Sequence, residues 1–589
     1  MQNIIGLLNQ KAASAIQSAF VDQLPKGSDL LNPEVVQSTQ SQFGHYQCNN
    51  ALKIAKELKQ NPRQVAEKIL AHLDLKAKEG KPMIAKTEIA GPGFINIILE
   101  PTFISLEIDA LLHDPRLGVP LPEKKQRIIV DFSSPNVAKE LHVGHLRSTI
   151  IGDSLARLFE FLGHDVLRLN HIGDWGAQFG MLIAYLQEEQ PCILTGEKQT
   201  DLPSLMHWYR ESKKRFDADQ DFKKRAQLQV VKLQGGDPLS MQAWKIICDI
   251  SRRAYQEIYD LLDVKLVERG ESFYNPYLAG VVAELGEKGL ITISDGAKCL
   301  FLEGFAARDG TSLPMIVQKS DGGYNYDTTD MAAIRHRIQV EKANRIVVVT
   351  DAGQVLHFQM LEKAAVKAGY LDPKQVRFDH VPFGVVLGPD GKKFKTRSGE
   401  TEKLIDLLLE AVRRAKQIML ERQPDLPEQE IDQLALNLGI DSIKYADLSC
   451  HRLKDYVFSY DRMLKFEGNT AAFLLYAYVR ILGIKRKVGK DIAAILNIGH
   501  VQLEHSSEIA LALHLRQFGE VLDHMSRELL PNRLTDYLYA LAEKFNAFFR
   551  DCRVEGSTQE SSRLLLCEAA ARILEKGLNI LGLKIVDRM

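Results

Sequence analysis

Two histidines held close together, in His142-Val143-Gly144-His145, are the part of this chain best suited to do chemistry. Imidazole N–H groups donate to phosphate oxygens without carrying a permanent charge, and the glycine between them lets a ligand approach the backbone. A second cluster stands far along the chain. Lys392-Lys393-Phe394-Lys395-Thr396-Arg397-Ser398-Gly399 lies in a glycine-rich basic stretch over residues 388–401. Several cations on a segment that can close and reopen suit a pyrophosphate leaving an α-phosphate. Each pattern alone is weak, because HxGH is short and a basic loop is more often simply solvated.

The surrounding elements strengthen the first cluster. Ile128, Ile129 and Val130 form a β-branched run that suits a buried parallel strand. Apolar residues then recur near a 3.6-residue period at Leu146, Ile150, Leu155, Leu158, Phe159 and Leu162, before Gly163 as a stop. Val166–Leu169 reads as the next strand. The histidines therefore stand where a strand hands over to a helix N-terminus, the place where backbone N–H groups and the helix dipole hold phosphate. A nucleotide site is expected there.

The chain of 589 residues is too long for one core, so three or four domains are expected. Hydrophobic residues at 45% and charged residues at 26% are those of an ordinary globular protein, and with a net charge of −1 any nucleic acid must be met by local patches. The seven cysteines are scattered with no CxxC pair, which argues against a zinc ribbon or a disulfide framework and suits a reducing compartment. The N-terminus lacks a basic segment followed by an unbroken apolar one, and no apolar run approaches the roughly 20 residues of a membrane span. A cytoplasmic protein with no membrane partner is expected.

Residues 1–115 read as a small α+β domain, with helical patterns at Ile4–Phe20 and Asn50–Leu73 before a turn and strand in Gly91–Ile98. Residues 116–400 read as an α/β unit with a parallel sheet, interrupted by a charge-rich, solvated helical insertion at about 188–277. Within it Asp321-Gly322-Gly323 suggests a hairpin turn between Pro314–Lys319 and Tyr324–Tyr326, and Ile346–Val349 a further buried strand. Residues 401–455 read as linking helices and 456–589 as an all-α bundle.

Taken together, FSSPNVAKELHVGHLRSTIIGDSLARL from Phe132 and LNHIGDWGAQFG over Leu169–Gly180 resemble the bacterial arginyl-tRNA synthetases, a class I aminoacyl-tRNA synthetase family. The similarity runs from GPGFINI near the N-terminus to the final Met589. It implies a Rossmann-like catalytic domain, an additional N-terminal domain and an anticodon-binding helical bundle. It also implies an arginine–tRNA ligase that joins arginine to ATP as an adenylate and transfers it to the 3′ end of tRNA(Arg). ATP with Mg2+ is the implied substrate complex, with no protein metal site, and a monomer is expected. By resemblance His142, Gly144 and His145 carry the class I histidine motif, and Lys393, Phe394, Lys395, Thr396 and Arg397 its lysine loop. Thr396 stands where the second lysine of that loop is usual. Arginyl enzymes share this loss and carry a lysine ahead of the histidines instead, a place filled here by Lys139.

Selecting arginine over lysine calls for carboxylates placed for in-plane, bidentate bonds to a guanidinium. The resemblance puts Asp131, Asn136, Tyr326, Asp330 and Gln354 on amino-acid-binding positions. Tyr326 and Asp330 are assigned to the guanidinium end, since a spacing of four puts both on one face of a helix. Asp131, Asn136 and Gln354 are assigned to the near part of the substrate. His171-Ile172-Gly173 imitates the histidine motif and reads as a strand-end contact, with Trp175 and Gln178 at the pocket mouth. For tRNA, the resemblance points to Phe473 and Tyr476 beside Lys485-Arg486-Lys487, to Met589, and to Phe94 and Asn96 in the N-terminal domain; aromatics beside cations suit unpaired bases. Two rival readings are an HxGH nucleotidylyltransferase, usually much shorter, and a catalytically silent RNA-binding paralogue, which would be expected to lose a histidine or the acidic pocket.

Overall fold

A computed structural model describes the whole chain apart from residues 1–2, 25–27, 39–42, 78–79, 307–309, 389, 393 and 395–401. The chain divides into two compact units. One joins residues 1–120 to helices drawn from 476–524 and 536–577, and the other holds 121–475, 525–535 and 578–589.

In the first unit an antiparallel sheet carries Val35–Gln37, Tyr46–Cys48, Phe94–Leu99 and Ile84–Ala90, in that order. The helical stretch expected over Asn50–Leu73 is two helices, Asn50–Leu58 and Pro62–Ala71. Lys59 takes a left-handed φ of 50° that ends the first, and Asn61 caps the second with Pro62 in its first turn. The later helices are tied to this domain by polar bonds: Arg516 pairs with Glu107 at 2.7 Å, the Val501 N–H donates to Asp109, and Arg572 donates to the Leu112 carbonyl.

The second unit is built on a five-stranded, all-parallel sheet. Its order is Arg377–Phe383, Arg345–Asp351, Arg127–Asp131, Asp165–Asn170 and Val267–Glu268. The central strands are continuous apolar runs because both faces are covered; Ile128, Ile129, Val130, Ile346 and Val347 are fully buried. The chain leaves the strand Arg127–Asp131 toward one edge and returns at Arg345–Asp351 toward the other, so a crevice opens at the carboxyl ends of these two neighbours.

The helix Val143–Phe161 follows the first of these strands closely. Gly152 makes that approach possible, since a Cβ there would lie 2.2 Å from the Phe132 ring. Farther along, Asp153 accepts from Arg157 at 2.7 Å and from Arg168 at 2.5 Å, tying the helix to the strand Asp165–Asn170.

The helical excursion differs from its expected form at both its end and its exposure. It comprises Pro191–Leu194, Leu202–Ala218, Gln220–Gln234 and Pro238–Leu261, and the chain has rejoined the sheet by Val267, because Val267 and Glu268 pair with Leu169 and Asn170. Pro238–Leu261 is also not merely solvated, with Ile247, Ser251, Tyr255 and Tyr259 buried. The hairpin expected around Asp321-Gly322-Gly323 is instead a turn from the strand Ser312–Gln318 into the helix Tyr326–Gln339. Asn325 decides this by accepting the Asp327 N–H as an N-cap.

Two long helices, Leu404–Arg422 and Glu428–Leu448, pack side by side and fill the region expected to link the domains. The last residues of the chain dock on the second of them: Lys444 donates to the Gly582 carbonyl at 2.7 Å, and the Lys584 N–H donates to Asp441 at 3.0 Å. No helix among the described residues is long and apolar enough to cross a membrane.

Candidate active site

A cleft of about 860 Å3 opens at the carboxyl ends of the parallel strands. Its lining brings together Asp131, Asn136, His142, Gly144, His145, Tyr326, Asp330, Gln354 and Phe394, nine of the residues singled out from the sequence. They come from four separate stretches of chain, 131–145, 326–330, 354 and 394, and the parallel sheet is what gathers them.

The histidines occupy one side. His142 is the N-cap of its helix and His145 the third helical residue, and they form a reciprocal capping box. Nδ1 of His142 accepts from the Gly144 N–H at 3.0 Å, and Nδ1 of His145 accepts from the His142 N–H at 3.1 Å. A ring that accepts at Nδ1 must carry its proton at Nε2, so both imidazoles are neutral with Nε2–H as their donors. Burial, with the positive charge of Lys139, lowers the His145 pKa to about 3 and keeps this state over the physiological range. Gly144 is required here because a Cβ would lie 2.9 Å from the His142 ring. Lys139 is exposed and does not line the cleft, but its charge is felt at His145.

The loop between strand and helix is held from beneath by the helix Pro238–Leu261. Tyr255 Oη lies 2.7 Å from the Asn136 carbonyl and 2.6 Å from that of Lys139, Tyr259 Oη is 2.8 Å from Ser133 Oγ, and Ser251 accepts the Ala138 N–H. Three consecutive anchors matter because Ser133, Ser134 and Ala138 all have positive φ, a strained path for residues with side chains. Asn136 lies over Gly173, whose Cβ would meet the Asn136 side chain at 2.1 Å.

The opposite side is acidic. Asp330 Oδ2 lies 2.7 Å from His357 Nε2, and its Oδ1 is 3.8 Å from His171 Nε2. Nδ1 of His357 is 3.4 Å from Asp327. Tyr326 and Asp330 lie one turn apart on the helix Tyr326–Gln339, and the Tyr326 ring meets His357 edge-on at 5.1 Å. Burial alone would lower the His357 pKa, but hydrogen bonds and charge from Asp327 and Asp330 outweigh it and raise the value to about 9. Glu271, at the start of the helix Glu271–Glu287, is raised to about 8 by burial and by the negative charges of Asp330 and Asp174. Two carboxyl groups, Asp330 and Glu271, thus line this part of the cleft, which suits a cationic ligand group.

Several expectations change in the structure. The Asp131 carboxylate lines the cleft but is already engaged, with Oδ2 at 2.6 Å from Arg337 Nη2 and Oδ1 accepting from Ser134 Oγ at 3.0 Å. Trp175 and Gln178 are absent from the lining. Trp175 turns to the Trp244 ring, 5.9 Å away, and Gln178 donates back to the Trp175 carbonyl. Asn96 is 6% exposed, and its Oδ1 accepts from Gln47 across the sheet, so it offers no free face, whereas Phe94 is half-buried. Tyr476 is exposed beside Arg480, which also lies over Phe549. Phe473 and Met589 are both half-buried.

Of the basic loop, Lys393, Lys395, Thr396 and Arg397 lie outside the described residues. Phe394 lines the cleft, donates its N–H to the Val386 carbonyl and packs on Phe458 at 5.2 Å. The chain beyond the loop comes back beside the histidines, where Lys403 pairs with Glu140 at 2.7 Å and bridges to the His142 backbone.

Glu271, Asp327 and His357 escaped the sequence reading. Asp327 shares the first helical turn with Tyr326, and His357 stands three residues after Gln354, so helical spacing from the chosen residues could have found both. Glu271 carries no local signal.

Comparison with known proteins agrees with this geometry. Residues 107–460 match the family described as tRNA synthetases class I (R), catalytic domain; residues 474–589 match the DALR anticodon binding domain; and residues 7–99 match the arginyl tRNA synthetase N terminal domain. The chain is 61% identical over 589 residues to the arginine–tRNA ligase of Protochlamydia amoebophila, with all of both proteins covered. To that of a Nostoc species it is 50% identical over 592 aligned residues, with 99% of each covered. The crystal structure of arginyl-tRNA synthetase from Plasmodium falciparum matches with a TM-score of 0.86 at 34% identity, over 100% of both chains. An HxGH cleft with an acidic far side, on a chain matched from end to end, assigns the protein: it belongs to the arginyl-tRNA synthetases, a family of class I aminoacyl-tRNA ligases.

Proposed function

We propose that the cleft activates arginine with ATP and passes the arginyl group to tRNA(Arg), with the labour divided along its two sides. The guanidinium lies at Asp330, Tyr326 and Glu271, and the observation that carries this reading is that the carboxylates of Asp330 and Glu271 line the same cleft as His142 and His145. Asn136 and Gln354 hold the amino-acid end. Asp131, bound to Arg337 and Ser134, shapes the pocket floor and is not the main ligand.

The nucleotide triphosphate lies along His142, Gly144 and His145, whose Nε2–H donors meet oxygens whose charge grows in the transition state. Lys139 supplies the cation nearest the α-phosphate. Lys393, Lys395 and Arg397 neutralise the departing pyrophosphate, with Thr396 and Phe394 at the nucleotide. Mg2+ arrives with ATP, held by phosphates and water. The arginine carboxylate attacks the α-phosphorus and pyrophosphate leaves; the ribose hydroxyl at the tRNA 3′ end then attacks the adenylate carbonyl and AMP leaves. No covalent enzyme intermediate is needed, so rate comes from positioning and charge.

Residues 1–115 serve as a tRNA-contacting domain through Phe94, 116–400 as the catalytic domain and 456–589 as the anticodon-binding domain, with Phe473, Tyr476 and Met589 as RNA contacts. The protein works as a cytoplasmic monomer. The test is a charging assay with the purified chain, ATP, total tRNA and labelled arginine, with lysine and glutamine as controls. Charging of arginine alone is expected. Charging of another amino acid, or adenylylation of a small molecule without tRNA charging, would overturn the reading.

A further inference from the structure

Both ring nitrogens of His357 face carboxylates. Nε2 is 2.7 Å from Asp330 Oδ2 and Nδ1 is 3.4 Å from Asp327 Oδ1. A neutral imidazole donates from one nitrogen only, and Nε2 is hydrogen-bonded to Asp330 while Nδ1 lies at ion-pair distance from Asp327, so both carboxylates favour the imidazolium. His357 is thus a cation held against the carboxylate that the substrate guanidinium is to take. We propose that His357 is the resident counter-cation of the amino-acid pocket, which holds Asp330 while the pocket is empty and gives up its proton when the arginine guanidinium arrives. This rests on the reading of Asp330 as the guanidinium ligand.

The surroundings support a handover over simple coexistence. On the same helix as Asp330 stand Asp327 and Tyr326, whose ring is 5.1 Å from that of His357. From the neighbouring elements come His171, 3.8 Å from the other Asp330 oxygen, then Glu271 on its helix, and His380, whose pKa the charge of His357 helps to lower. His380 Nε2 bonds Thr350 and burial lowers its pKa to about 4, so it stays neutral. His357 therefore stands as an imidazolium among Asp327, Asp330 and Glu271. A guanidinium on Asp330 would sit within a few ångströms of that imidazolium in a partly desolvated cleft, where like charges repel strongly.

The direction of the linkage follows. In the empty site His357 has its pKa raised to about 9, and a neighbouring guanidinium pushes it down, so binding releases a proton at neutral pH. Glu271, at about 8 when empty, is pushed down too and releases in the same sense. Arginine affinity is then lowest at acid pH and rises as pH climbs from neutral toward 9. The His357 release would not follow from a merely structural histidine, whereas the Glu271 release is independent of it.

The experiment is calorimetric titration of L-arginine into the full chain at pH 8, in buffers of different ionisation enthalpy, which counts protons released. Wild type is compared with His357→Gln, Glu271→Gln and Asp330→Asn. A glutamine amide can still donate to Asp330 but carries no exchangeable charge. His357→Gln should release about one proton fewer than wild type and show a flatter pH dependence of affinity, whereas Glu271→Gln should keep the His357 proton. An unchanged proton count in His357→Gln overturns the proposal. If that variant does not fold, 15N-histidine spectra of wild type decide instead: an imidazolium that turns neutral on saturation with arginine is expected, and one that stays charged overturns it. Asp330→Asn separates the two readings, because unaltered arginine binding there would remove the pocket assignment itself, whereas lost binding there with an unchanged count in His357→Gln sinks only the handover.

Discussion

Arg147 and Asp447 form an ion pair, 3.1 Å between Nε and Oδ2, in which neither side chain is exposed at all. Arg147 lies just past the first turn of the helix capped by His142, and Asp447 is one residue from the end of the helix Glu428–Leu448. The same guanidinium donates to the Gly384 carbonyl at 2.6 Å and the Lys454 carbonyl at 3.2 Å, and it lies over the Phe383 and Tyr456 rings. One side chain thus fastens the histidine helix to a strand end, a loop and a second helix. Removing one partner of such a pair leaves a buried charge uncompensated. Asp447→Ala should lower stability by about 3–5 kcal/mol, seen as a lower urea midpoint at unchanged slope. A loss below about 1 kcal/mol would mean that Arg147 finds water or another acceptor.

Gly152→Ala tests how closely the helix must sit. Its Cβ would be 2.2 Å from the Phe132 ring, so the helix must move or the ring must turn. A stability loss of about 1–3 kcal/mol is expected, together with slower ATP–pyrophosphate exchange because His142 and His145 ride on the same helix. Adding Phe132→Leu should restore part of both. Wild-type exchange in the single variant would show that the histidines do not depend on this contact.

Tyr255→Phe removes the one hydroxyl hydrogen that the Asn136 and Lys139 carbonyls share beneath the loop. We expect a rate loss of about tenfold, in line with 1–2 kcal/mol for an unmade buried bond, in adenylate formation, with the far-UV spectrum unchanged. The kinetic split is the check. A rise in ATP KM alone, with kcat intact, would mean that the loop is held adequately by Tyr259 and Ser251.

Lys139→Ala tests the substitute for the missing loop lysine. Its kcat for adenylate formation should fall by at least about tenfold, the scale of one lost transition-state charge contact, while KM for arginine changes little. If both constants stay near wild type, the compensating cation lies elsewhere.

His145 sets a pH dependence of known sign. Its pKa falls from 6.5 to about 3 on folding, through burial and the positive charge of Lys139, so the unfolded chain binds the extra proton first as the solution is acidified. The stability tied to its neutrality is fully present above 6.5 and is lost as pH falls from there toward 3. His145→Gln keeps a capping-box acceptor and should flatten melting temperature against pH between 4 and 6.5 relative to wild type. Parallel curves would mean that other buried histidines govern the acid limb.

Much of this architecture is legible where local pattern and tertiary role coincide. The β-branched run at Ile128–Val130 and the near-3.6 period after Leu146 lead to the correct strand and helix, and therefore to the histidines between them. Tyr326 and Asp330 could be paired because their relation is helical and local. The helix itself was harder to see, since the Gly-Gly turn before it suggests a hairpin and only the Asn325 cap reverses that. Glu271 reaches the cleft through a two-residue strand at the sheet edge, a pairing with no sequence signature. Tyr255 and Tyr259 come from an excursion whose charged surface hides one buried face. Asp131 shows the opposite failure: its type and place are right for a ligand, but Arg337, far away in sequence, already holds it.

The reciprocal cap of His142 and His145 limits which residues these two positions can accept over evolutionary time. Serine, threonine or aspartate at 142, or glutamate at 145, would serve the backbone N–H groups as well, and each would leave the ligand side without the N–H. A residue chosen only for the ligand, such as lysine, would leave the helix uncapped. Imidazole meets both demands with two nitrogens across one ring, so drift at either position is penalised twice through a single side chain. For the same reason, an alanine variant at either site reports folding and chemistry together.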